Sequence, residues 1–177
     1  DDGNGNTTTC SFVVTLDDDT DPVITVCPSN TTVSVDGSCE YDLADFTGSV
    51  TATDNCTAGG SITITQSPAA GTTLSGDGTT QTVTMTADDG NGNTTTCSFV
   101  VTLDDDTDPV ITVCPSNTTV NVDGSCEYDL ADFTGSVTAT DNCTAGGSIT
   151  ITQSPAAGTT LSGDGTTQTV TMTADDG

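Results

Sequence analysis

The chain has 177 residues, 26 of them acidic, with no Lys, Arg or His and a formal charge of −26. Without a cation it cannot hold phosphate electrostatically, so nucleic acid and anionic membranes are poor partners, and most general-base, Schiff-base and anion-binding chemistry is absent. No apolar run approaches the roughly 20 residues of a membrane span, no signal peptide is present and the first residue is not Met, so a mature segment of something longer is expected.

The sequence matches itself at a shift of 87 residues: 1–90 align with 88–177, and the one difference is Ser34 against Asn121. A long tandem array is the expected source of such near-identity. In chain order, residues 1–20 read as the last strand and linker of a preceding module. The acidic stretch Asp17-Asp18-Asp19-Thr20-Asp21-Pro22 opens a complete module over 21–107, and its copy at 104–109 opens a second module, 108–177, that lacks its last strand. An alternative is that residues 1–20 of one copy complete residues 108–177 of another as a donated strand.

Within the complete module the apolar residues alternate with a period of two. Val33 and Val35 share a face; Cys39, Tyr41 and Leu43 follow, then Ile62 and Ile64, then Val83, Met85 and Ala87, and finally Cys97, Phe99, Val101 and Leu103. Thr fills outward positions, where its β-branch suits a pleated surface. Asp36-Gly37-Ser38, Ala58-Gly59-Gly60, Gly76-Asp77-Gly78 and Asp89-Gly90-Asn91-Gly92 separate the runs as turns. No segment has a helical period. About seven short strands with turns every 8–12 residues is the pattern of a β-sandwich. Hydrophobic residues make up 32% and aromatics 3%. That core is lean enough to raise disorder as an alternative, but eight Cys and the alternating strands favour a small disulfide-stapled fold in an oxidising, extracellular or cell-surface setting. Four Cys per repeat allow three pairings. Zinc is disfavoured because there is no Cys-x-x-Cys and no His.

Pro22-Val23-Ile24-Thr25-Val26-Cys27-Pro28, Gly37-Ser38-Cys39, Ala52-Thr53-Asp54-Asn55-Cys56, Val83-Thr84-Met85-Thr86-Ala87-Asp88, Gly92-Asn93 and Cys97-Ser98-Phe99-Val100-Val101 resemble the hyalin repeat (HYR) module. The resemblance spans the 87-residue period and keeps all four cysteines in order. It implies immunoglobulin-like β-sandwich modules in tandem, extracellular, linked to adhesion, as in large repetitive bacterial surface proteins, with no catalytic residues. It also favours a Cys27–Cys97 disulfide, which leaves Cys39–Cys56, with Cys126–Cys143 as the equivalent in the second module. Cys10 and Cys114 would then pair outside the chain. Chain entropy assigns these loops about 4 and ~3 kcal/mol.

The acidic linkers exceed the usual pattern of that family and point to metal. In a sandwich of this topology Asp17, Asp18, Asp19 and Asp21 converge with Asp54, Asn55, Asp88 and Asp89. The set recurs as Asp104, Asp105, Asp106, Asp108, Asp141, Asn142, Asp175 and Asp176. Calcium takes six to eight hard oxygens, and a divalent ion relieves carboxylate repulsion that no side-chain cation here can relieve. The competing reading is a solvated acidic linker that keeps fibres apart.

The expected function is a structural tandem repeat of a long extracellular fibre or cell-surface stalk, stiffened by calcium at junctions and by disulfides. Its partners would be neighbouring identical modules, through lateral or donor-strand association. The alternative is an adhesin module that binds glycan or another surface through Thr- and Asp-rich faces. Enzyme activity is not expected: Ser and Thr have no activating base, and paired carboxylates lack the aromatic platform of a glycosidase. The sequons at Asn30 and Asn55 match glycosylation acceptors.

Overall fold

The computed structural model describes residues 3–177; Asp1 and Asp2, which begin the segment read as a preceding module's last strand, lie outside the described residues. The chain is all-β. Its strands are β1 (Val23–Val26), β2 (Thr31–Ser34), β3 (Glu40–Asp42), β4 (Thr51–Thr53), β5 (Thr63–Ser67), β6 (Thr73–Ser75), β7 (Thr80–Asp88) and β8 (Thr94–Asp104), then β9 (Val110–Val113), β10 (Glu127–Asp129), β11 (Thr138–Thr140), β12 (Thr150–Ser154), β13 (Thr160–Ser162) and β14 (Thr171–Asp175). They form two-stranded sheets and one four-stranded sheet in the order β2-β8-β7-β5.

Two compact units divide the chain. The first takes the described residues of Asp1–Asn30 with Ala44–Gly71 and Thr82–Val100; the second takes Thr31–Leu43, Thr72–Gln81 and Val101–Gly177. The division runs through the 87-residue period, and β7 and β8 each pass from one unit into the other.

In the first unit the alternation read from sequence is the core. Val83, Met85 and Ala87 of β7 are fully buried, and Phe99 of β8 nearly so. Each such side chain is worth roughly 1.5–3 kcal/mol of burial if large, less for alanine. The antiparallel register places Ile64 opposite Ala87 and Gln66 opposite Met85. Ala52, Ile62 and Ala87 cluster with Ile24 and Ile64. Phe46 meets Phe99 edge to face, with centroids 4.8 Å apart. Gln66 ties the approach to that contact: its Oε1 accepts the Phe46 N–H at 2.7 Å, and its Nε2 donates to the Ala44 and Pro68 carbonyls. Residues 6–22 carry no regular secondary structure, and Phe12, Val13, Val14 and Leu16 are exposed.

In the second unit β2 runs parallel to the end of β8, with Val33 opposite Leu103. The single site that differs between copies acts here, because the Ser34 hydroxyl donates to Asp106 Oδ2 at 2.9 Å. Strand β3 pairs with β6 (Tyr41 opposite Leu74), and β10 with β13 (Tyr128 opposite Leu161). Among the described residues strand β14 pairs only with β12. Its Met172 is therefore half-buried, whereas the equivalent Met85 is enclosed between two neighbouring strands.

A tight turn prepares the second strand pair. Asp36 Oδ1 accepts the N–H groups of Ser38 (2.8 Å) and Glu40 (3.0 Å), and the Cys39 N–H donates to the Asp36 carbonyl. This holds Cys39 at φ 60°, and the same turn at Asp123 holds Cys126 at φ 63°. A left-handed Cys costs about 1 kcal/mol or more, so the carboxylate bonds must hold it there.

Two disulfides form. Cys27 bonds Cys97 within the first unit, and Cys39 bonds Cys143 within the second. The second bond corrects the pairing expected from sequence. Cys39–Cys56 and Cys126–Cys143 do not form; Cys56, Cys126, Cys10 and Cys114 are exposed free thiols. The reason lies in placement: the Asp36 turn belongs to the second unit, where Cys39 and Cys143 approach to 4.9 Å between Cα atoms, whereas Cys56 belongs to the first. Disulfides place the chain in an oxidising environment.

Two outcomes follow from the packing. Met85→Ala should cost ~3 kcal/mol in urea unfolding, and Met172→Ala clearly less, because only the former leaves a closed cavity. Asp45 and Asp132 each accept the N–H and hydroxyl of the Thr two residues on, at 2.9 and 2.7 Å, and these bonds hold both carboxyls below the ordinary 3.8. A depressed folded-state value gives stability that is present above 3.8 and lost as pH falls through the folded value. The deficit of a D45N/D132N variant against wild type should therefore be largest near neutrality and shrink in acid; a constant deficit in melts across pH would contradict the assignment.

Candidate metal centres

Two acidic triads stand at equivalent places, one in each unit. Carboxylate oxygens of Asp18, Asp54 and Asp89 lie within 4.8 Å of one another, and so do those of Asp105, Asp141 and Asp176. Each triad takes one residue from a linker, one from the loop after a short strand (β4 or β11) and one from the end of a longer strand (β7 or β14).

Backbone amides hold the first triad in place of cationic side chains. Asp54 Oδ2 accepts the N–H groups of Cys56 and Thr57, both at 2.9 Å. Asp89 Oδ1 accepts those of Asn91 (2.8 Å) and Asn93 (3.1 Å), and its Oδ2 accepts Asn93 Nδ2 at 2.8 Å. Asn93 Nδ2 also donates to the Asp18 carbonyl at 2.9 Å, and the Thr57 hydroxyl donates to the Asp89 carbonyl. Burial pushes the Asp89 carboxyl up, but the bonds from Asn93 and Asn91 outweigh it and hold it below the usual range. The Asp18 charge, with burial and the charges of Asp54 and Asp89, pushes the neighbouring Cys56 thiol up.

The second triad is built the same way. Asp141 Oδ2 accepts the N–H groups of Cys143 and Thr144, both at 2.8 Å. The Thr144 amide lowers the Asp141 carboxyl against the opposing effect of burial, with help from the Cys143 and Asn142 amides and from Asp105. The Asp105 N–H donates to Asp77 Oδ1 at 2.9 Å, which anchors the linker. Asn142 Nδ2 donates to the Asp36 carbonyl at 3.0 Å, next to the Cys39–Cys143 bond.

Four buried oxygens in these two places have no hydrogen-bond partner: Asp18 Oδ2, Asp105 Oδ2, Asp141 Oδ1 and Asn142 Oδ1. Buried acceptors without a donor are costly, and a cation is the partner that the chain's composition withholds. The Asn55 side-chain amide, with its nitrogen turned to the carboxylate, donates to Asp54 Oδ1 and Oδ2 at 3.3 and 3.2 Å. An all-oxygen set of carboxylates suits a hard cation, so both triads could hold a metal ion.

Of the acidic residues named from sequence, the structure brings these six into triads. Asp17, Asp19, Asp21, Asp104, Asp106 and Asp108 are exposed and outside them. Asp88 and Asp175 instead accept the N–H of the Gly two residues on. Asn142 follows Asp141 in the chain, and its Oδ1 is buried without a hydrogen-bond partner. Sequence reasoning did not single out Asn93, which joins Asp89 to the linker, or Asp77, which anchors Asp105; the Gly-Asn-Gly-Asn turn was the available signal for the first. Comparison with known protein families, curated proteins and solved structures finds no match to this chain.

A divalent cation held by the triads and present at 100 times its Kd should stabilise each triad's unit by about 2.7 kcal/mol, and EDTA should remove the gain. D89N keeps the turn's acceptor and drops one charge, so it should weaken the first site by at least the roughly tenfold that losing even a supporting partner costs. D141N should do so at the second. Calorimetric titration of the two variants checks both.

Proposed function

We propose that the chain is a structural repeat of a long extracellular fibre or cell-surface stalk, built from tandem immunoglobulin-like modules of the hyalin-repeat type, with calcium locking each junction. One observation carries this reading. The second triad and the second disulfide both join consecutive copies of the 87-residue period. Asp105 and Cys39 come from the first copy, and Asp141, Asp176 and Cys143 from the next. A link between copies serves length and stiffness, and the near-identity of the copies fits selection on an array more than on a unique site.

Calcium, once bound, supplies the charge that the three carboxylates lack and fixes the linker Asp against two loops of the following copy. The chain's own residues do the rest. Asp77 anchors Asp105, the Cys143 and Thr144 amides orient Asp141, and the disulfide holds the junction covalently. Without the ion the linker is a charged hinge restrained by one disulfide. The lack of Lys and Arg also denies trypsin-like proteases any cleavage site.

Small-angle scattering of the full chain in calcium and then in EDTA tests this. A stiff array adds roughly 35–45 Å per repeat, from strands of about seven residues at ~3.3 Å each plus loops. Calcium should increase the maximum dimension and sharpen the rod-like profile. Superimposable profiles would leave the acidic linkers as spacers.

A further inference from the structure

We infer that the Cys39–Cys143 disulfide is a positioning element of the second triad, so that closing this bond and filling the site with a hard divalent cation favour one another. This rests on the calcium reading above and names a control on that same site. Three observations lead to it, all within the second compact unit.

The first is the division of labour between the two oxygens of Asp141. Its Oδ2 accepts the N–H of Cys143, the residue that carries the disulfide, and that of Thr144, both at 2.8 Å. Its Oδ1 is buried without a hydrogen-bond partner. A carboxylate is planar, so the Cys143 amide fixes one oxygen and with it the direction of the other. Moving the Cys143 backbone moves the oxygen left for a cation.

The second is that this loop is tied to the Asp36 turn at both residues after Asp141. Asn142 Nδ2 donates to the Asp36 carbonyl at 3.0 Å, and Cys143 is bonded to Cys39. The turn is a fixed platform. Asp36 Oδ1 accepts the Ser38 and Glu40 N–H groups, and the Asp36 N–H donates to the Glu40 carbonyl at 2.8 Å.

The third is that the same turn also leads to Asp105. The Cys39 carbonyl accepts the Gly76 N–H at 3.1 Å, and the next residue, Asp77, accepts the Asp105 N–H on its Oδ1 at 2.9 Å. The connections therefore run unbroken from Asp105 through Asp77, Gly76, Cys39 and Cys143 to Asp141. The ring closes where carboxylate oxygens of Asp105 and Asp141 lie within 4.8 Å of one another and of Asp176. Apart from peptide bonds, the disulfide is the one covalent link in this ring. Like charges push the gap open; hydrogen bonds exposed to water yield to that push, and the disulfide does not.

The consequence is reciprocal. With the bond open, a cation must gather Asp141 to Asp105 as it binds; with the bond closed, they are already gathered. Whatever factor the bond adds to cation affinity, the cation adds to the preference for the disulfide over two thiols. In reduction a dithiol or thiol reductant supplies two electrons and two protons, the S–S bond breaks to two thiols, and the reductant leaves as a disulfide. Supports one step behind metal ligands typically set about ten- to hundredfold of affinity, which is the coupling expected here.

The test uses calcium itself as the probe and the full chain. In a D54N/D89N background, which disables the first triad, calorimetry reads the second. Adding C39S/C143S should weaken calcium there by at least about tenfold. In a D141N/D176N background the same serine pair should leave the first site unchanged. D77A should weaken the second site in the oxidised chain but add little in C39S/C143S, because the ring is already open; additive losses would mark two independent effects. The reciprocal measurement equilibrates the D54N/D89N chain in glutathione buffers with and without calcium, traps thiols by alkylation and reads each bond by mass spectrometry. Calcium should move the Cys39–Cys143 midpoint toward the disulfide by the factor that calorimetry gives, and leave Cys27–Cys97 in place. Equal second-site affinity with the bond closed or absent, or a midpoint that calcium does not move, overturns the coupling and leaves the calcium site standing. No calcium at either triad of the wild-type chain sinks the calcium reading and the coupling with it. If C39S/C143S unfolds the second unit, the glutathione midpoint decides alone, in the same two directions.

Discussion

Every carboxylate in this protein must be satisfied without a side-chain cation. That constraint shapes the local structure. The charges go to backbone amides, as at Asp36, Asp45, Asp54, Asp89 and Asp141, each of which accepts one or more N–H groups from the residues that follow it. Such bonds replace salt bridges as the means of fixing turns, and they fix the loops in which the triads sit. Where amides run out, oxygens are left buried and alone, and these concentrate in the triads and the Asn beside one of them.

The second consequence is division of labour among the cross-links. A core with few aromatics is built on β7 and β8, and Cys27–Cys97 ties β8 to the chain just after β1 within one copy. Cys39–Cys143 acts between copies. The strained Cys39 turn, the Asn142 contact to Asp36 and the Asp77 anchor of the linker all surround that junction. The compact units cut across the sequence period, and the second holds Cys39 with Cys143 and Asp105 with Asp141 and Asp176.

Much of the fold was legible in sequence. The period of two in Val83–Ala87 and Phe99–Leu103 reports a strand with one buried face, and those residues are the core. The Asp-Gly turns fall where the strands end. The acidic clusters named three segments that the structure brings together at Asp18, Asp54 and Asp89. Sequence could not say which Asp of a run of three turns inward, because that depends on linker phase and on the Asn93 side chain that fastens the Asp18 carbonyl. It also could not give the second disulfide. Four cysteines in one period invite pairing within it, and a bond to the next period leaves no mark in the spacing.

The central claim is that a hard cation occupies the place each triad leaves for positive charge. Anomalous diffraction from crystals of the chain grown with calcium, or with terbium in its place, tests it most directly. The account predicts two strong peaks, one within bonding distance of Asp18, Asp54 and Asp89 and the other of Asp105, Asp141 and Asp176. Ions bound only at the exposed linker carboxylates, with both triads empty, would contradict it.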